Sequence, residues 1–537
     1  TGNAYQNDWS AEKLLQNSRR FNVDLAPKIL YARGAMVELL ISSNVARYVE
    51  FKNINKILCW SGDATTGRLV SVPCSRSQVF SSKAVSLLDK RLLMKFLQFA
   101  ADYTQHEQQW LDKKEAPLRE YLQQQRMSEQ LQEYIMSGMA LAGQCVTVED
   151  GLKAIKLFLT SLGRFGSSPF LATLYGSAEL PQAFCRLCAV FAGTYILGRD
   201  ISSVIVGTKE AAVETSKETN GEGEAISETN ISSTQGSLNV GASSEQTTLV
   251  SLESNSKETS EDKNNVEDSV VNNKTAVLGI ISQGQRLKCE HLVLDDRYGG
   301  AFDSSSAAHA ATAQLSVSRA VLILNSDLLK ELPVEGTAAD VTSTKTGSNG
   351  VSLAQVTGSK GQPITLLQFA ADTSVCPDNT WLLHLTCVGS NAETDLFPVV
   401  QQLLQQHSSS SVQQSSSQQS PVLYSLYYNQ SVQRSHHSPF SNLHLCTGPD
   451  HQNLDYDYAI DQAKRIFSSM YPDDEFMPRA PDPDEIIFDD PPSQQEETDG
   501  VSQQQEMEGG QEQQVDEQME DHQKQEHIKD EQKQMEA

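Results

Sequence analysis

A mixed α/β domain carrying an inserted all-helical module is the fold class that this 537-residue chain predicts. Three observations predict it. Strand-like apolar segments occur towards both ends of the folding part of the chain, so the α/β domain is built from both ends. Residues 84–163 switch to an apolar period of three and four residues, as amphipathic helices require. Two acidic tracts without aromatic residues, 209–275 and 491–537, hold too little apolar surface to offset the entropy of folding. The expected organisation is an α/β domain over 1–83, a helical domain over 84–163 and a return to the first domain over 164–208. A disordered acidic insert over 209–275, the rest of the first domain over 276–490 and a disordered Gln/Glu-rich tail over 491–537 complete it.

In chain order, residues 1–20 read as a polar lead and a short helix. A helical stretch at 29–41 precedes strands at 47–51, 56–60 and 68–72, with Ser61, Gly62 and Asp63 turning the chain between the last two. Leu88, Leu92, Phe96 and Phe99 set the stripe of a helix at 86–101. Further helices fit 117–125, 128–142 and 147–162, the last opening with Thr147 and Asp150 as a capping pair. Their broad apolar faces, with Leu131, Ile135, Met139, Ile155, Phe158 and Leu159, suit either bundle core or a slot for a lipid or partner helix. One more helix-like stretch follows 164–170. Strands fit 201–206, 276–281, 287–294, 319–324, 363–369, 381–387, 422–428 and 443–446. Helices fit 395–405 and 458–470, the first followed by a Ser/Gln tract at 407–420. An insert between two strands is tolerated because loop closure entropy grows slowly with length.

The formal charge is −27, and most of the excess acid lies in the two tracts, so the folding part is only mildly acidic. No Lys/Arg cluster with interleaved aromatics occurs, which argues against a nucleic-acid partner. The nine cysteines are scattered and odd in number, as reduced cytosolic thiols are. Cys185 and Cys188 form the one close pair. Without a second pair they lack the ligands of a zinc site, and their neighbours Phe184 and Leu187 suggest buried helix thiols. No metal site, catalytic motif or dinucleotide fingerprint is found, so neither cofactor nor enzymatic activity is expected. A flavin-dependent oxidoreductase would need that fingerprint. His436 and His437 fall in a Ser-rich loop, and Asp482, Asp484 and Glu485 read as a solvated linker. The acceptor-type triplets at Asn230, Asn273 and Asn429 are short enough to arise by chance. No leader or run of about 20 apolar residues is present, which points to a cytoplasmic protein. The start at Thr1 suggests a fragment or an incomplete gene model.

The segment from Arg164 to Tyr195 differs in kind. Gly166, Ser167, Ser168 and Pro169 predict a loop, and Tyr175, Gly176, Ser177 and Ala178 a second turn. Pro181 suits the first turn of a helix on which Glu179 and Arg186, about two turns apart, project from one face while Phe184, Leu187 and Cys188 pack inward. Such a pair is either a surface salt-bridge network or a two-sign docking patch for a protein.

The string LYGSAELPQAFCRLCAVFAGTY resembles the signature of the Rab GDP-dissociation inhibitor and Rab escort protein superfamily. RRFNVDLAPKILYARG, NVARYVEFKN, SVPCSRSQVFSSKAVSLLDKRLLMKFLQF and DGLKAIKLFLTSLGRFGSSPFL resemble family blocks in family order. The resemblance implies a flavoprotein-like (FAD/NAD(P)-binding-type) α/β domain with an inserted helical domain and no flavin chemistry. It implies that Glu179, Arg186 and Thr194 belong to a Rab-binding platform, and that Arg164, Ser168 and Phe170 belong to a mobile effector loop. The acidic insert and long tail resemble the escort branch. In that branch Phe80 and Arg91 match positions that contact the α subunit of the Rab geranylgeranyltransferase heterodimer, although Phe80 also suits a core. The implied partners are GDP-bound Rab GTPases, prenylated or not, that transferase, a geranylgeranyl group sheltered by the helical module, and membranes, transiently. A plain GDP-dissociation inhibitor is the rival reading. The family's N-terminal Tyr-Tyr-Gly-Gly block and first strand are expected upstream of Thr1.

Overall fold

The computed structural model describes residues 9–62, 67–81, 85–143, 145–208, 248–252, 275–302, 315–329, 350–410, 420–432, 438, 440–448 and 454–479. The expectations for 491–537, for most of 209–275, and for Asp482, Asp484, Glu485, His436, His437, Asn230 and Asn273 lie outside those residues.

Helix α1 (Ala11–Gln16) is capped by Ser10, whose hydroxyl accepts the Lys13 N–H. The stretch at 29–41 is not one helix. Strand β1 (Leu30–Tyr31) pairs with a later strand, and α2 (Ala35–Ser42) begins only after Gly34. The Asp457 carboxylate, far along the chain, accepts the Ala35 N–H at 3.0 Å and so caps α2 from a distance. Asn44, at φ 61°, ends that helix, and a 3-10 turn over Val45–Tyr48 stands where a strand at 47–51 was expected.

Strands β2 (Phe51–Ser61) and β3 (Arg68–Ser71) follow, then α3 (Arg76–Ser81), α4 (Leu87–Ala101), α5 (Leu118–Gln124), α6 (Glu129–Glu133) and α7 (Val148–Ser161). A π-helical turn over Tyr134–Met139 continues α6. The Thr147 hydroxyl accepts the Asp150 N–H at 3.1 Å and donates to its carboxylate at 3.0 Å, as the capping reading requires. The stripe of α4 is turned from the expected one. Leu93, Phe96 and Ala100 are buried, whereas Leu88 is 67% exposed.

After β4 (Phe170–Thr173) and α8 (Glu179–Val190), β5 (Ile201–Thr208) begins a smaller sheet with β6 (Thr248–Ser251), β7 (Thr275–Ser282) and β8 (Gln285–Lys288) in the order β6-β5-β7-β8. Strand β6 lies inside the tract read as wholly disordered, and its Val250 pairs with Val204. The expected strand at 287–294 is divided between β8 and β9 (Leu292–Asp295).

The remaining elements are β10 (Leu315–Leu324), β11 (Val351–Thr357), β12 (Pro363–Ala370), β13 (Trp381–Val388), α9 (Ala392–Ser410), β14 (Val422–Val432), β15 (Leu443–Cys446) and α10 (Asp457–Met470). The large sheet runs β1-β4-β2-β11-β12-β13-β10-β14, with β3 also on β2. Among the described residues its one parallel pairing joins β2 to β11, which is buried along its length except at Thr357. Sequence reading missed β11 because Ser352, Gln355 and Thr357 interrupt its apolar run.

The sheet has a core on each face. On one, Ile57, Val70, Leu353 and Leu367 meet Leu93, Leu131, Ile135, Met139, Ile155 and Phe158 from the helices. On the other, Leu58, Leu322 and Leu385 meet Leu396, Val399, Val400 and Leu403 of α9. The helical faces read as core or slot are therefore packed core here, and only Leu159 among them is partly exposed. A third cluster gathers Met36, Leu40, Val45, Leu171, Leu180, Ala183 and Ile460 between α2, α8 and α10. No helix among the described residues is long and apolar enough to cross a membrane.

Candidate functional site

Helix α8 is held by Leu180 and Ala183, which are 2% and 4% exposed, with Phe184 and Leu187 packed half-buried beside them. That inward face leaves Arg186 outward and Glu179 half-exposed at the first position of the helix. The Arg186 guanidinium lies over the Tyr48 ring at 4.6 Å from its centroid. Tyr48 closes the 3-10 turn, so the shape of that turn fixes the direction of the cation. A contact of this type is worth about 0.5–1 kcal/mol at an exposed site and leaves the N–H edges of the guanidinium available to a partner. Glu179 and Arg186 form no ion pair with each other among the described residues, which removes the salt-bridge reading of this pair. Thr194 is exposed in the segment joining α8 to β5.

The turn before α8 is pinned from elsewhere. The Asp24 carboxylate accepts the Ser177 N–H at 3.0 Å and the Ser177 hydroxyl at 2.9 Å. Burial raises the Asp24 pKa against the lowering effect of these hydrogen bonds. Gly176, at φ +103°, faces that carboxylate at the turn.

Arg164, Ser168 and Phe170 are not three surface groups of one open loop. Arg164 donates to the Ala32 carbonyl at 2.7 Å, pairs with Glu38 of α2 and is only 18% exposed. Ser168 is 5% exposed, and its hydroxyl accepts the Phe170 N–H. The Phe170 ring is fully buried, 4.7 Å from Tyr31 and 5.9 Å from Phe158 between ring centroids. The exposed aromatic of this segment is Phe165, stacked under Arg164 at 5.1 Å and 47% exposed. With Val37, Leu40, Ile41, Ala46, Phe51, Asn53 and Leu171 it lines an open, largely apolar hollow of about 360 Å³. Sequence reading missed that hollow, because its walls come from α2, the 3-10 turn, β2, β4 and the loop that carries Phe165.

A second surface lies at the junction of α3 and α4. Phe80 is 60% exposed and Arg91 is exposed, so the core reading of Phe80 does not hold. Lys90 Nζ donates to the Phe80 carbonyl at 2.8 Å, which ties the end of α3 to the first turns of α4. Leu87 and Leu88, 76% and 67% exposed, extend the apolar character beside Phe80; Leu87 was not singled out from sequence, and Leu88 was expected on the packed stripe of the helix. Among the described residues no group of three or more His, Cys, Asp or Glu could hold a metal ion.

Residues 3–229 match the family model of the GDP dissociation inhibitor, and residues 317–451 match that of RAE1/2 domain I, C-terminal region. Rab proteins geranylgeranyltransferase component A 2 of Mus musculus is 32% identical over 488 residues, covering 89% of this chain and 64% of that protein. Rab proteins geranylgeranyltransferase component A of Drosophila melanogaster is 31% identical over 497 residues, covering 91% of this chain and 78% of that protein. The chain spans 62–64% of the length of the mammalian component A relatives it matches. A crystal structure of Rab GDI from Plasmodium falciparum shares the fold at a TM-score of 0.52 and 15% identity, covering 84% of each chain.

Proposed function

Since this chain belongs to the family of Rab geranylgeranyltransferase component A proteins, within the GDP-dissociation inhibitor superfamily, we propose that it acts as a Rab escort protein. It binds GDP-bound Rab through Glu179, Arg186 and Thr194, and presents the Rab C-terminal cysteines to the α/β transferase heterodimer, which it engages on the α subunit through Phe80 and Arg91. It then carries the geranylgeranylated product through the cytosol to membranes. Its part in the reaction is positioning: holding substrate and transferase together raises the effective concentration of the tail at the transferase, with no catalytic group of its own.

The observation that carries this reading is the exposure of Phe80 and Arg91 at a place distinct from α8. A large exposed aromatic flanked by two exposed leucines disfavours a purely internal role and suits an anchor that is buried on docking. Arg186, held over Tyr48 without a carboxylate partner among the described residues, suits recognition of an acidic or carbonyl group on a GTPase surface. Arg164, Ser168 and Phe170 then act by shaping the floor beneath the platform, and Phe165 is the member of that segment that can touch a partner. A geranylgeranyl chain would enter the helical module only by parting helices that are packed together here.

The match of 3–229 to the inhibitor model favours a second reading, in which the chain extracts and recycles prenylated Rabs without binding the transferase. Titrating Arg186→Ala and Phe80→Ala against GDP-bound Rab and against the transferase heterodimer separates the two. The escort reading expects Arg186→Ala to lose Rab alone and Phe80→Ala to lose the transferase alone. Absence of transferase binding by the unaltered chain would leave the inhibitor reading.

A further inference from the structure

Cys185 and Cys188 are not the buried helix thiols expected from their apolar neighbours. Cys188 is exposed and Cys185 is half-exposed in the last two turns of α8. They flank Arg186 in sequence, and the segment carrying Thr194 folds back onto them. The Gly193 N–H donates to the Cys188 carbonyl at 2.8 Å. A side chain at Gly193 would put its Cβ 2.2 Å from the Cys188 sulfur, so that sulfur lies directly against the loop backbone. Ala192 holds a φ of +63° to bring the loop round. The neighbouring Cys185 thiol first and the Cys188 thiol second push the Tyr195 pKa up. The two sulfurs thus form part of the seat of residues 193–195.

We propose that Cys185 and Cys188 are a peroxide-oxidisable dithiol whose disulfide releases the 191–195 loop and weakens the Rab platform. The proposal rests on the escort reading for its binding consequence, though not for its chemistry. One cysteine, as thiolate, attacks a hydroperoxide oxygen. The O–O bond breaks, giving a sulfenic acid and hydroxide, which takes up the thiol proton and leaves as water. The second sulfur then attacks the sulfenic sulfur, the S–S bond forms, and the sulfenic hydroxyl leaves with the remaining thiol proton as a second water. With hydrogen peroxide, two thiols and one peroxide become one disulfide and two waters, the dithiol supplying both electrons.

Geometry couples this step to the loop. Residues three apart on a helix have Cβ atoms about 5–6 Å apart, whereas a disulfide needs about 3.5–4.5 Å. Closing the bond contracts the last turn by roughly an ångström. A helix terminus at Val190 can supply that contraction. The Cys188 sulfur must then move from its place against Gly193. Cys59, Cys376 and Cys387 are buried and do not compete.

Trypsin cuts after Arg164, Arg186 and Arg199, so the disulfide would join peptides 165–186 and 187–199, which separate when reduced. The whole chain is treated with hydrogen peroxide, mapped without reductant, and titrated against GDP-bound Rab before and after dithiothreitol. The expected result is linked peptides and an affinity that falls about tenfold and recovers on reduction, as loss of a contact cluster at a platform edge would give. Cys188→Ser and, independently, Cys185→Ser should bind Rab with no response to peroxide. Unlinked peptides, or linked peptides with unchanged affinity, would overturn the proposal. If the reduced chain fails to bind Rab while the peptides link, the escort reading fails, the binding consequence falls with it, and the dithiol chemistry stands.

Discussion

The surface around α8 and the surface at the α3–α4 junction present opposite physical designs. Around α8, the charged group is exposed but its direction is fixed: Leu180 and Ala183 seat the helix, and Tyr48 aligns Arg186. At the α3–α4 junction the exposed group is apolar, and Phe80 stands on a short helix tied to α4 through Lys90. The first design stores its organisation in the unbound protein and suits discrimination by charge. The second gains most when water leaves Phe80, Leu87 and Leu88, so its energy appears only on docking. Under the proposed escort function, two partners held at once would meet two sites that share no residue.

The largest expected effect tests whether the platform floor is core. Phe170→Ala removes a fully buried ring and should cost about 3–5 kcal/mol of stability. Thermal unfolding would read this, with Rab binding falling only in step with the folded fraction. An undisturbed melting temperature would mean that Phe170 is not the floor described here. Acid should weaken both surfaces together, through the sheet they share. His384 is fully buried, and desolvation, then Arg319, lowers its pKa to about 4. The unfolded chain takes up that proton near pH 6.5, so stability is present above that value and is lost as pH falls towards about 4. The slope is about 1.4 kcal/mol per pH unit, and His384→Gln should flatten it in denaturant titrations.

Next in size, Phe80→Ala should weaken the transferase about a hundredfold and leave Rab binding within experimental error. Leu87→Ser with Leu88→Ser should do the same more mildly, and an effect on Rab binding instead would merge the two surfaces. The smallest effect expected is that of Tyr48→Leu. Removing the ring beneath Arg186 should weaken Rab binding about threefold and raise its sensitivity to salt, while retaining the hydrophobic contact with the third core.

Much of this was legible from the chain alone, where local pattern decides structure. The Thr147 cap, the helices α4, α5 and α7 and the outward placement of Arg186 follow from spacing. What escaped detection depended on contacts between distant residues. Strand β11 carries Ser352 and Gln355 and reads as loop, yet it sits between β2 and β12, where those groups are buried. The start of α2 is set by Asp457, which no local window includes. The same holds at the sites. Glu179 and Arg186 stood out by their spacing on one helix, whereas Phe80 and Arg91 were named only through the resemblance to family blocks. The burial of Phe170 was hidden by its polar neighbours Ser167 and Ser168. Phe165 and the exposed dithiol become visible only once α2, β2 and the 191–195 loop are folded around them.

The central claim is that one chain carries two separable docking surfaces. Isothermal titration of Arg186→Ala, Phe80→Ala and the unaltered chain, each against GDP-bound Rab and then against the transferase, tests it most directly. The account predicts that each variant loses one partner, keeps the other at unaltered affinity, and fails to assemble the three-part complex. A variant that loses both partners while remaining folded, or a pair whose losses are exchanged, would contradict it.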